Sequence, residues 1–490
     1  MTITYNQIPN SLRVPFVAAE FDASNASQGP ALLAYRALLI GQMLPSGTGL
    51  PNNLYRVTSP DQVGKLAGRG SIAHRNAIAY FKVNKSTETW LGLLEDDGAG
   101  VAASGTLTIA AADAGAGTIA LYLGGERITV GVGAGATAAS IATAVAAAIN
   151  LKTDLPVTAT SAATVVTVTH RHKGLVGNSY NIRTSYRDDE SLPTGVTVTV
   201  VPLSGGTANP SLTDLIAALG DSWFHVVANP YTDATSLSAL EDEFADRFGP
   251  MRMIDGVIIS SAAGSFGTLV TLGNTRNSPH SVIVAQPGQN PLTPPSEFAA
   301  EVAGLVAYHG AAEPARPFQT LPLKHTLPPA EVDLFMTKER NELLFDGIAT
   351  TRPAAGGGVQ LERLITTYQT NASGSPSTAY LDLTTLLTLM YLRYSFRVLW
   401  QEKYPRHKLA DDGTRLGAGQ KVMTPKLGKS EAIGWFREME EMGLVENFDQ
   451  FKADIVVERN KVDPNRLDLL LPPDLINQLI GTAISIPFRL

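Results

Sequence analysis

Four groups of residues in this 490-residue chain have types and spacing suited to chemistry. Gly131-Val132-Gly133-Ala134-Gly135-Ala136 joins a strand-like segment to an alanine-rich, helix-like one. Free N–H groups at such a helix start can hold a pyrophosphate. A dinucleotide site also needs an acidic ribose ligand at the end of the next strand. Here Ser161 and Ala162 follow 156–160, so the run reads as a structural turn. Gly428-Lys429-Ser430 ends like a phosphate-binding loop, but that loop requires glycine where Met423 stands, so the triplet reads as a helix start. His170 and His172, at i and i+2, are spaced like two metal ligands on one strand face. No third ligand lies near in sequence, and Arg171 and Lys173 oppose a cation, so they read as surface histidines and no metal site is expected. Three apolar segments close at Asn229-Pro230, Ser260-Ser261 and Gln286-Pro287, where an α/β enzyme would carry its chemistry. None supplies a carboxylate or a histidine, so neither a catalytic residue nor a cofactor is expected.

A basic series, Arg393, Arg397, Lys403, Arg406, His407 and Lys408, runs along and past the most apolar helical stretch. It reads as a solvated helix end near the negative dipole, or as a surface for an acidic partner. The stretch itself, 381–400, is broken by Asp382, Arg393 and Arg397, which argues against a membrane span. Net charge is −7, from 38 basic and 45 acidic residues, so nothing in the bulk charge favours nucleic acid. The absence of cysteine excludes disulfides and thiolate metal sites and fits assembly in a reducing cytoplasm. No signal peptide is evident in 1–10.

The elements that must position these residues fall into distinct zones. Residues 1–21 contain Pro9 and Pro15 with apolar Leu12, Val14 and Phe16 between and beside them, and read as an extended arm. Composition changes at Glu95-Asp96-Asp97-Gly98: no Phe or Trp occurs between Trp90 and Trp223, and Gly, Ala, Thr and Val dominate. Short strand-like runs there predict a β-rich, sandwich-like domain over 96–203, interrupted by one helix over 137–150. On either side, 22–95 and 204–465 form one discontinuous domain, with buried runs alternating with helical stripes such as Leu237, Leu240 and Phe244. That alternation predicts a mostly parallel sheet covered on both faces, an α/β (α+β) architecture. The remaining zone, 466–490, reads as a C-terminal arm, and in its last part Ile480, Thr482, Ile484, Ile486 and Phe488 share one parity. A strand with one apolar face and no local partner needs an edge elsewhere, in this chain or in a neighbour.

With these residues in view, the chain resembles the tail sheath proteins of Mu-like contractile-tailed bacteriophages. The resemblance rests on Ile8-Pro9, Arg13-Val14-Pro15, Glu20-Phe21-Asp22, Gly68-Arg69-Gly70-Ser71 and Leu203-Ser204-Gly205-Gly206-Thr207, with 361–368, 380–400 and the closing tail. It covers most of the chain except the insertion. The resemblance implies an inner domain around the tail tube, an outward insertion, and terminal arms that add strands to neighbouring subunits. Six-fold rings stacked into a helical sheath would contract to drive the tube through the host envelope. It further implies location in the virion, self-association, and contacts with tube, baseplate and tail terminator proteins, without nucleic acid or direct membrane insertion. Leu12, Val14, Phe16, Ile480, Ile484, Ile486 and Phe488 would then be inter-subunit arm residues, and Lys429 and Arg437 would face the tube. The alternatives are another phage tail component, or an α/β enzyme carrying a β accessory domain.

Overall fold

The computed structural model describes residues 33–489 other than 416 and 418. The described residues begin with β1 (Arg36–Gln42) and β2 (Leu54–Val57), then α1 (Pro60–Ala67), α2 (Ile72–Val83) and β3 (Glu88–Leu94). Ser59 and Ser71 cap the two helices, accepting from Gln62 N and His74 N. β3 lies between β1, to which it is parallel, and β2, to which it is antiparallel.

The insertion follows as β4 (Ala102–Ala111), β5 (Gly117–Leu123), β6 (Glu126–Val132), α3 (Ala138–Leu151), β7 (Val157–Ala162), β8 (Val165–Lys173), β9 (Ile182–Thr184) and β10 (Val196–Ser204). Its strands form a four-stranded sheet in the order β10-β4-β8-β7 and a three-stranded sheet β6-β5-β9. Both are antiparallel. Thr137 caps α3, whose apolar face joins β4, β6 and β7 in a core drawn entirely from the insertion. The unit therefore contains a structural helix in its core as well as two sheets.

The host domain resumes with α4 (Thr213–Leu219), β11 (Val226–Ala228), α5 (Ala234–Phe248), β12 (Val257–Ala262), α6 (Phe266–Asn274), β13 (Ser281–Ala285) and α7 (Pro295–Ala312). It continues through β14 (Pro322–Leu323), α8 (Thr337–Phe345), β15 (Ile348–Pro353) and β16 (Val359–Arg363). Among the described residues the main sheet has nine strands, β14-β16-β15-β13-β12-β11-β1-β3-β2. From β3 to β15 neighbours run parallel, and β2, β14 and β16 are antiparallel additions at the two margins. β11, β12 and β13 are buried at every position because helices cover both faces, which is why apolar residues dominate them, with Ser260, Ser261 and Ser281 as the polar exceptions. Asp233 caps α5 and Leu237, Leu240 and Phe244 form its buried stripe.

The C-terminal region comprises α9 (Leu383–Lys403), β17 (Lys408–Leu409), β18 (Val422–Met423), α10 (Pro425–Glu441), β19 (Val445–Glu446), α11 (Phe448–Asp454), β20 (Val456–Arg459), β21 (Leu467–Leu470) and β22 (Asp474–Leu475). Leu386, Leu387 and Met390 of α9 and Trp435 and Phe436 of α10 extend the main core. No helix among the described residues is long and apolar enough to cross a membrane.

Candidate functional site

Among the described residues, two features of the C-terminal region stand without an internal partner. β20 and β21 form a two-stranded antiparallel sheet with no third described strand, so each has an open edge there. Such a pair is marginal in water without further packing. The chain then makes the short pairing β19–β22 and continues through 476–489 with no regular secondary structure. Along that tail Ile484, Ile486 and Phe488 are 77%, 82% and 80% exposed, and Ile480 is 41% exposed. The tail touches the host domain near its root, where Gln319 Nε2 donates to Leu479 O at 3.3 Å. The unpaired stretch is therefore shorter than the expected arm of 466–490, because Leu467–Leu470 pair with Val456–Arg459 of the same chain. Leu12, Val14, Phe16 and Leu490 lie outside the described residues.

The carboxyl ends of the parallel strands, where an open α/β sheet binds its ligand, are largely occupied by the insertion. Strand order reverses between β1 and β11, and Gln42 closes β1 there. Gln42 Nε2 donates to Asp96 Oδ1 at 2.7 Å and to Lys173 O at 2.8 Å, while Tyr231 Oη donates to Gln42 Oε1 at 3.3 Å. Asp96 also lies 2.7 Å from His172 Nδ1 and accepts from Lys173 N at 2.9 Å. Burial would raise the Asp96 carboxyl, but its hydrogen bonds to His172, Lys173 and Gln42 hold it below the usual range. His172 Nε2 accepts from Ile72 N, the first residue of α2, at 3.2 Å. That acceptor role leaves Nδ1 as the donor toward Asp96. One imidazole thus ties insertion, linker and host together.

This placement corrects the expectation that His170 and His172 are surface residues. They are 3% and 0% exposed, and burial pushes the His170 imidazole down to about 4. Among the described residues no group of three or more His, Asp or Glu side chains could hold a metal ion. The glycine run 131–136 is the turn from β6 to α3, with Thr137 Oγ1 accepting from Ser140 N.

Part of the basic series is less solvated than expected: Arg393 and Arg397 are half-buried, whereas Lys403, Arg406 and Lys408 are exposed. Arg393 Nη1 donates to Phe248 O at 2.6 Å and Asp255 Oδ1 at 3.1 Å, and its guanidinium lies 4.3 Å from the Phe248 ring centroid. Arg397 lies over Trp223 at 5.7 Å, and Lys403 pairs with Glu431. Arg393 and Arg397 therefore dock α9 against the end of α5 and the segments that lead into β11 and β12, through aromatic and charged partners. Lys429 is half-buried in the first turns of α10, its Nζ donating to Ile455 O at 3.0 Å. Arg437 is exposed on the same helix, 4.6 Å from the Phe448 ring centroid. Sequence reading missed a buried cluster beneath the insertion. Arg75 of α2 makes bonds of 2.8 and 2.9 Å to Glu297 of α7, and His325 Nε2 lies 2.6 Å from the same carboxylate. The fourth-residue spacing of Glu297 and Glu301 in an otherwise apolar helix was the available signal.

Comparison with known proteins places these features in context. Family models described as the phage tail sheath protein central domain and the phage tail sheath C-terminal domain match residues 205–367 and 375–488. The Mu-like prophage FluMu tail sheath protein of Haemophilus influenzae is 36% identical over 491 aligned positions, spanning 100% of both chains. Among solved structures, a sheath tail protein from Desulfitobacterium hafniense is 16% identical with a TM-score of 0.49, covering 94% of this chain and 100% of that one. One from Listeria innocua is 13% identical at 0.49, covering 92% and 94% respectively.

Proposed function

The chain belongs to the contractile phage tail sheath family, and from that premise we propose that its copies stack as hexameric rings around the tail tube, linked by their extended termini. The observation that carries this reading is the combination of an exposed, alternating apolar tail and a two-stranded sheet with open edges in the same subunit. The tail leaves its own hairpin unpaired, so strand addition between copies satisfies both. Donor and acceptor are different surfaces, and a heterologous contact of this kind propagates into a helical assembly. The N-terminal segment with Leu12, Val14 and Phe16 is the second arm.

Backbone pairing between subunits survives a change in their relative orientation, because the arm can bend at its root. Contraction then draws on a metastable extended lattice held by a kinetic barrier, without nucleotide chemistry, and the subunit acts as a structural, non-enzymatic part. Tube, baseplate and terminator proteins are its partners, with assembly in the host cytoplasm and final location in the virion tail. The exposed face of α10 around Arg437, with Lys429 at its start, lies against the tube. Charge reversal at Arg437 lowers the tube-bound fraction without blocking sheath polymerisation, and an unchanged fraction counts against this contact.

Deleting residues 476–490 tests the arm. The expected product is a folded, soluble subunit that forms no tubes by negative-stain electron microscopy. Tubes of normal length and yield from the truncated chain would overturn the proposal.

A further inference from the structure

A cavity of about 250 Å³ lies outside the assembly features, between the insertion and the carboxyl ends of β11 and β12. Leu175, Val176 and Ser179 of the insertion form one wall, and Pro230, Asp233 and Leu272 of the host line the others. Three helices start at or near it. Asp233 and Ser265 cap α5 and α6, while α7 has Pro294 and Pro295 at its start and no side-chain cap. An uncapped start of an 18-residue helix leaves first-turn N–H groups free and a positive potential at the site. A second observation is independent of the helix ends. Ser261, 3% exposed, lines the cavity, and its Oγ has no hydrogen-bond partner among the described residues. A buried hydroxyl without a partner is costly unless something else meets it.

We propose that this cavity binds a small monocarboxylate with a short apolar stem, its carboxylate at the α7 start and Ser261 and its stem against Leu175, Val176 and Leu272. Charge decides between oxyanions. Among the described residues the lining contains no Lys, Arg or His, and Asp233 is its one charged side chain. Both Asp233 oxygens are occupied, Oδ1 by Ser236 N at 3.0 Å and Oδ2 by Asn209 Nδ2 at 2.7 Å. A single ligand charge is compatible with that neighbour, whereas a phosphate dianion is disfavoured. Size agrees: about 250 Å³ leaves room for a four-carbon acid. A ligand touching both insertion and host stabilises the seam between them.

The test is calorimetric titration of the full chain with sodium butyrate, against sodium chloride at equal ionic strength. Acetate and propionate complete the series, alongside the variants Ser261→Ala and Ala263→Leu. The expected result is saturable one-to-one binding that tightens by about fourfold per methylene. Ser261→Ala weakens it several-fold, and Ala263→Leu, which fills the cavity, removes it while thermal unfolding of the unliganded variant stays cooperative. Absence of saturable binding in the parent chain, or binding unchanged in both variants, overturns the assignment.

Discussion

Substituting Glu297 by Gln removes one charge from a buried pair while keeping its volume, and the structure sets the direction of the effect. Arg75 and Glu297 are 6% and 1% exposed at their side chains, so solvent screening is slight. Burial alone would raise the Glu297 carboxyl, but Arg75 and His325 reverse this and hold it at about 2. The difference from its ordinary value of 4.5 corresponds to roughly 3 kcal/mol in favour of the ionised form. The folded protein holds this proton less tightly than the unfolded chain does. The contribution is therefore complete above about pH 4.5 and is lost as pH falls through about 2. Glu297→Gln should destabilise the α2–α7 contact by about 3–5 kcal/mol at pH 7, because Arg75 is left buried and unpaired. The double variant Arg75→Met/Glu297→Leu should recover most of the loss, since no uncompensated charge remains. The chain has more than one core, so protection of α2 and α7 amides by hydrogen exchange in increasing urea is a better measure than a single melting temperature. A loss below about 1 kcal/mol in Glu297→Gln, or a double variant worse than the single one, would refute the reasoning.

Asp255 gives the opposite pH behaviour: burial raises its carboxyl to about 6 against Arg393 and Arg397, so its contribution is full below about 3.8 and lost as pH rises through about 6. Asp255→Asn should stabilise the fold at pH 7 by about 2–3 kcal/mol, read as a higher urea midpoint, and have little effect near pH 4. Gly41→Ala places a Cβ 2.6 Å from the Ala73 backbone, where β1 crosses the start of α2. It should cost about 1–3 kcal/mol by denaturant titration. The insertion has its own core, and its two ends are joined by the bridge between Val101 and Thr207. Residues 98–209 expressed alone should show cooperative thermal unfolding and dispersed amide resonances.

What was legible in the sequence follows from where each pattern gets its information. β11, β12 and β13 could be read because two-sided burial makes most of their positions apolar, and α5 because Leu237, Leu240 and Phe244 recur on one face. Short elements such as α6, α8 and β2 lack a long enough stripe to separate them from loops. The histidine pair was misplaced although a cue existed: Val166, Val168, His170 and His172 share the buried parity of β8. For Arg393 and Arg397 no local cue existed, since Phe248, Asp255 and Trp223 lie more than a hundred residues away. The tail alternation was plain. Its expected beginning at 466 overlooked a hairpin signal, because Asn460 Oδ1 accepts from Val462 N and Asp463 N in the turn between β20 and β21.

The absence of cysteine allows the central claim to be tested without background thiols. One variant carries Ile486→Cys in the tail, and a second carries Val456→Cys at the start of β20. The two are mixed, assembled, and treated with a short thiol-to-thiol cross-linker. Tail donation between copies predicts a covalent dimer joining the two variants in tubes, and none in unassembled subunits. Well-formed tubes that give no such dimer, or a double variant that cross-links only within one chain, would contradict it.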